Sequence, residues 1–147
     1  LPLRQGIAVT GAINQAGELL PVGGINEKIE GFFRTCTLLG LDGRQGVLIP
    51  ARNRRHLMLA PALRDAVAQG RFHIHTADHA GEGLALLAGC AYGELGPGGY
   101  AADSVLGRAE RTLQGFRRAC QAVAAPRPAY SRPVAPPPRR PLRRSSR

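Results

Sequence analysis

One lysine stands among the 20 long cationic side chains of this 147-residue chain, and the other nineteen are arginine. It is Lys28, in the stretch PVGGINEKIEGFF that runs from Pro21 to Phe33. Either cation serves as surface charge, but only lysine gives up its proton readily enough to work as a base. A position that needed charge alone would carry arginine in this chain, so Lys28 is the first candidate for a general base. Gly23-Gly24 and the residues after them place it near the start of a helix, whose N-terminal end disfavours a further cation. Ile29 and Phe32 are expected to bury it, which disfavours the charged form further.

Three other constellations compete with it. His73, His75 and His79 form H-x-H-x-x-x-H, and the first two share one face of an extended segment, a spacing open to a metal. No Asp, Glu or Cys stands at a convincing fourth position, so the metal reading is weak and none is assigned. A Cys36–His56 nucleophilic pair is weaker still, because Cys36 falls on an apolar helix face where thiols are inert. Arg52, Arg54 and Arg55 read as a solvated helix start or an inter-subunit contact. Serines occur only at 104, 131, 145 and 146. Ser104, in a D-S-V context, suits a helix N-cap or first turn.

These residues need elements to hold them. Gln5–Thr10 is a short β-forming run ended by Gly11, Asn14–Gly17 has turn chemistry, and Glu18–Val22 is extended, together predicting a β-hairpin. Ile25–Leu39 switches to helical period, with Ile29, Phe32, Phe33 and Cys36 on one face, Asn26 as N-cap, Glu27 in the first turn and Gly40 at the end. Gly46–Pro50 (GVLIP) lacks polar alternation, as expected of a strand buried on both faces. Arg52–Leu59 and Pro61–Gln69 read as short helices, the second with Pro at its start and Gly70 past its end. Phe72–Thr76 reads as a strand and His79–Ala88 as a helix. Strands alternating with helices predict an α/β (mixed α+β) domain. Beyond Gly89 come a loop over Gly93–Gly99 and a helix over Asp103–Ala124, with Val105, Leu106, Leu113, Phe116 and Cys120 among its apolar positions.

The blocks TGAINQAGELLPVGGINEKIEGFFRT, GRQGVLIP, NRRHLML and GRFHI, in that order, resemble the proteolytic domain of the Lon family of ATP-dependent proteases, in its branch fused to an AAA-type ATPase region. The resemblance runs from about Leu3 to Gly89 and more weakly to Ser104-Val105. It implies a Lon-type fold and a Ser-Lys dyad peptidase. The family pattern P-[IV]-G-G-[LIV]-x-E-K falls on Pro21 to Lys28 and makes Lys28 the dyad lysine. A strand-end T-G pair falls on Thr10-Gly11 and makes Thr10 a support for the amine. The family's nucleophilic Ser precedes the lysine in a Gly-x-Ser-Ala-Gly-like turn, and no Ser precedes Lys28 here. Ser104 does not take its place. A Walker A loop requires G-K-[ST], and Lys28 is followed by Ile29. The chain is therefore expected to be a proteolytic domain incomplete at its N-terminus, with the Ser, ATP and Mg²⁺ belonging to upstream sequence and with protein substrates and a homo-hexameric ring as partners. Upstream strands are expected to join its sheet, so that the isolated chain exposes an apolar edge and dissolves poorly.

Charge is unevenly placed. Residues 126–147 hold seven Arg, seven Pro and no acid, while the other 125 residues hold 13 Lys+Arg against 10 Asp+Glu. The division expected is a partial proteolytic domain over 1–89, a loop and C-terminal helix over 90–125, and a disordered tail over 126–147. A basic tail is open to nucleic-acid binding, although charge alone is a weak signal. Two other readings stand beside the protease: a non-catalytic remnant serving as an oligomerisation platform, and a nucleic-acid-binding module driven by the tail. No run approaches the roughly 18 apolar residues of a membrane span, no leader is recognisable at Leu1, and three scattered cysteines read as reduced thiols of a cytoplasmic protein.

Overall fold

The computed structural model describes residues 1–124. The elements run β1 (Ile7–Val9), β2 (Ala12–Ile13), β3 (Leu19–Leu20), α1 (Ile25–Leu39), β4 (Gly46–Pro50), a 3-10 helix (Ala51–His56), α2 (Pro61–Ala68), β5 (His73–Ala77), α3 (Ala80–Ala88), β6 (Leu95–Gly96), β7 (Gly99–Tyr100) and α4 (Val105–Ala124). The main sheet has the order β1-β4-β5, and both pairings are parallel. Parallel neighbours need crossovers, and α1 and α2 lie in the two connections.

All five residues of β4 are buried, because it is the middle strand and both its faces are covered. Val47 and Ile49 pack with Ile25, Ile29 and Cys36 of α1, Leu63 and Ala66 of α2, and Phe72. Leu48 points the other way, to Ile7 and Ala77, with Leu86 and Leu87 of α3 against them. Helices on both sides of a parallel sheet make the fold α/β, as the alternation of elements predicts. Phe72 is fully buried, with the rings of Phe32 and Phe33 at centroid distances of 6.2 and 5.3 Å.

Four local expectations are corrected. The hairpin does not use the Gln5–Thr10 run: β1 joins β4, and β2 pairs antiparallel with β3 across the Asn14–Gly17 turn. The apolar middle strand takes β1 as its neighbour, and Ile7 packs there with Leu48 and Ala77, with Leu19 of β3 against the same cluster. Asn26 is not the N-cap of α1; Gly24 is, at φ 65°, a left-handed conformation that other L-residues adopt only at a cost. The segment after β4 closes as a 3-10 helix over Ala51–His56 rather than an α-helix to Leu59, and Leu57 is extended. The Gly93–Gly99 loop contains the small β6–β7 hairpin.

Packing continues past Gly89. The Val105 and Leu106 amides donate to the carbonyls of Ala91 and Tyr92, and the Tyr92 ring lies 6.4 Å from that of His79. At the other side of the sheet, β1 is an edge strand with Val9 56% exposed. Among the described residues no helix is long and apolar enough to cross a membrane. The Pro/Arg segment 126–147 lies outside the described residues, as does any nucleic-acid contact assigned to it.

Candidate active site

Lys28 sits in the first full turn of α1, its amide donating to the Gly24 carbonyl at 3.1 Å. Three side chains fasten this end of the helix to the segment after β4 through five hydrogen bonds, each bridging about thirty residues. Ahead of the helix, Asn53 Oδ1 accepts the Val22 amide at 3.0 Å and Asn53 Nδ2 donates to the Val22 carbonyl at 2.9 Å. Within the first turn, Asn26 Nδ2 donates to the His56 carbonyl at 3.1 Å and Asn26 Oδ1 accepts the Met58 amide at 2.8 Å. One turn on, Glu30 Oε1 accepts the Ala60 amide at 3.0 Å. Buried Ile25 and Ile29 complete the anchorage from the core side. The backbone carrying Lys28 is thus held by the core below and by polar clamps beside it.

Thr10 follows the last residue of β1, and its amide donates to the Leu48 carbonyl at 3.1 Å, continuing the sheet ladder. Its half-buried side chain and Lys28 line one cavity of about 270 Å³, with Ala8, Val9, Ile29 and Val47 as the apolar remainder. The two residues, 18 positions apart in the chain, therefore meet at the end of the edge strand. Lys28 is exposed, which corrects the expectation that Ile29 and Phe32 bury it: Ile29 turns into the core beside it and Phe32 reaches toward Phe72.

The competing residues lie apart from this cavity. His73 and His75, with ring centroids 5.9 Å apart, line another cavity together with Arg4 and Arg44. His73 Nε2 is 2.8 Å from the Gly43 carbonyl. Burial, then the charges of His73 and Arg4, push the His75 imidazole below its ordinary pKa. His79 is turned to other work. Its Nδ1 accepts the Gly81 amide at 3.0 Å as the N-cap of α3, and its Nε2 is 3.0 Å from the Ala16 carbonyl. Cys36 is buried in the core, which pushes its thiol pKa up, while His56 is exposed at the end of the 3-10 helix. Arg52, Arg54 and Arg55 are exposed.

Ser104 is buried and fully used as the N-cap of α4, its Oγ donating to the Ala101 carbonyl at 2.6 Å and accepting the Gly107 amide at 3.0 Å. That is the capping role read from its D-S-V context, and it leaves no lone hydroxyl for attack.

Residues 1–87, which include Thr10, Gly23-Gly24 and Lys28, match the C-terminal proteolytic domain of the Lon protease (S16). The chain belongs to that family. It is 49% identical over 87 residues to the "Putative Lon protease homolog" of Escherichia coli (strain K12), covering 59% of this chain and 15% of the relative. Identity to the like-named protein of Haemophilus influenzae is 45% over 89 residues, 60% of this chain and 15% of that protein. An archaeal Lon protease from Pyrococcus abyssi is 36% identical over 67 residues, 46% of this chain and 6% of that protein. The chain thus spans a small part of the length of these relatives.

Within this Lon proteolytic domain, the residues that sequence reasoning missed are the clamps. Asn53, buried at 2% exposure, lies in an N-R-R-H run that reads as surface helix. A polar residue of short reach beside a β-strand end and a proline was the available signal, but its partner, a backbone 31 residues earlier, had no mark in the sequence. Lys28 lies a turn inside α1 and is followed by Ile29.

Proposed function

We propose that this chain carries the lysine half of a Ser-Lys peptidase site in an ATP-dependent protease that degrades proteins. The observation that carries the proposal is the meeting of Lys28 and Thr10 on one small cavity at the end of β1, in a domain of the Lon proteolytic family. The cavity is too small for a peptide and suits one side chain entering from the open side of β1. On this reading that side chain is a serine contributed by sequence upstream of Leu1. The Lys28 amine takes the proton of its hydroxyl, the oxygen attacks the scissile carbonyl, and the lysine passes the proton to the departing amine before water releases the acyl group. The Thr10 hydroxyl, on the same cavity wall, orients the amine. The upstream segment also shields Lys28, whose exposed amine would otherwise stay strongly hydrated.

ATP and Mg²⁺ act, on the same proposal, in an upstream AAA-type module, protein chains are the substrates, and six copies form a ring. The test is Lys28→Arg in the complete protein. Peptide hydrolysis falls to background while assembly and ATP hydrolysis persist, because arginine keeps the charge and cannot take the proton. A Lys28→Arg protein that still cleaves peptide overturns the dyad and returns the domain to a platform role.

A further inference from the structure

The protease reading leaves α4 unused. Its first turns are held by the Ser104 cap and by the Val105 and Leu106 amides on Ala91 and Tyr92. Glu110 is half-buried beside Gly99 of β7, and residues 111–122 are exposed, with Leu113 at 65% and Phe116 at 64%. In proteins most of a helix's stability comes from packing its apolar face. Leu106, Ala109, Leu113, Phe116 and Cys120 recur at intervals of three, four, three and four residues, the a/d spacing of a coiled-coil seam.

We infer that α4 pairs in antiparallel sense with α4 of a second copy of this chain, a two-fold contact that joins copies of two separate rings and not neighbours within one ring. In that register each a position meets a d position of the other helix. Leu113 faces the partner's Phe116, and Ala109 faces the partner's Cys120, so the large side chains fill the centre and the small ones flank it. The e positions decide the direction. Glu110 and Arg117 occupy successive e sites, and the antiparallel arrangement sets Glu110 against the partner's Arg117 twice, once on each side of the two-fold axis. Among the described residues neither has an ion-pair partner within its own chain. A parallel pairing would instead set Arg117 against the partner's Thr112 and Glu110 against the partner's Val105, leaving both charges unanswered. Arg108 and Arg111 bond to the carbonyls of Asp103 and Ala102 on their own chain and stay off the seam.

The test is cysteine cross-linking in the intact protein, which separates this contact from any other association of the domain. Positions 109 and 120 are 11 residues and about 16 Å apart on one helix, beyond the reach of a disulfide, so a bond between them joins two chains. Diamide takes up the two protons and two electrons released. Ala109→Cys is expected to yield a covalent dimer joining position 109 to the partner's Cys120, while the unmodified protein yields no Cys120–Cys120 dimer. Adding Glu110→Arg lowers the 109–120 yield by roughly fivefold, and adding Arg117→Glu as well restores it. All three positions are exposed or half-exposed, and unchanged far-UV circular dichroism verifies that the variants fold. A Cys120–Cys120 dimer, a cross-link from 109 or 120 to Cys90, a yield indifferent to the charge exchanges, or no interchain bond overturns the inference.

Discussion

Asn53 grips Val22 from both sides, accepting its amide at 3.0 Å and donating to its carbonyl at 2.9 Å. One side chain thus imitates a strand neighbour for a single residue just ahead of Gly23-Gly24, where the chain turns into α1. With the Asn26 and Glu30 contacts it ties the lysine-bearing helix to the segment leaving β4. The backbone that carries Lys28 is thus held by Asn53 and by the segment leaving β4.

Replacing that grip is expected to cost stability and alignment together. Asn53→Ala leaves the half-buried Val22 amide and carbonyl without their partner and lowers unfolding free energy by on the order of 2 kcal/mol, read from denaturant titration. Asn53→Asp keeps the acceptor, loses the donor and sets a carboxylate against the Val22 carbonyl, so it is no milder. If either variant unfolds at the wild-type midpoint, the clamp contributes nothing.

Thr10 is a support rather than a base. In the complete protein Thr10→Val removes the hydroxyl at nearly constant volume and is expected to lower kcat by about fivefold, the worth of one modest hydrogen bond. Thr10→Ser restores most of the rate. An unaltered rate in Thr10→Val would reduce Thr10 to a strand end bonded to Leu48.

Two glycines separate conformational need from habit. Gly17 has φ 84°, and a methyl group there would stand 2.5 Å from His79 Nε2. Gly17→Ala therefore strains the turn and pushes His79 off its cap on α3, a loss of roughly 2 kcal/mol. Gly31, inside α1, has no neighbour within 4 Å of the same position, and Gly31→Ala stabilises by about 0.5–1 kcal/mol. Thermal melts of the two variants should move in opposite directions.

Acid should weaken the fold through His75. Burial first, then His73 and Arg4, hold its pKa below the ordinary 6.5, so the unfolded chain takes up this proton at higher pH than the folded one. The contribution is intact above about pH 6.5 and is lost as pH falls through the folded-state value. His75→Gln should narrow the difference in Tm between pH 7.5 and pH 5. An equal difference in both proteins would show that other groups govern the acid side.

Much of this was legible in advance where a local pattern had one physical outcome. GVLIP is apolar throughout because both faces of β4 are covered, and the α1 span follows from an apolar face bounded by Gly24 and Gly40. Where two pairings competed, sequence misled: β1 looked like a hairpin arm because the next extended run along the chain was Glu18–Val22, while in the fold it pairs with β4 and Ile7 packs with Leu48. Asn26 looked like a cap because its type suits one, yet its amide was claimed by His56 and Met58.

By itself the sequence determined the α/β class, the family likeness, and the singular lysine, since each rests on periodicity, ordered motifs or residue type carried along the chain. Only the tertiary structure decided that Thr10 and Lys28 share a cavity, that Lys28 is exposed, and that Asn53 holds Val22. Those depend on contacts between segments far apart in sequence, and burial and hydrogen bonding at such contacts are settled by which surfaces the whole fold brings together.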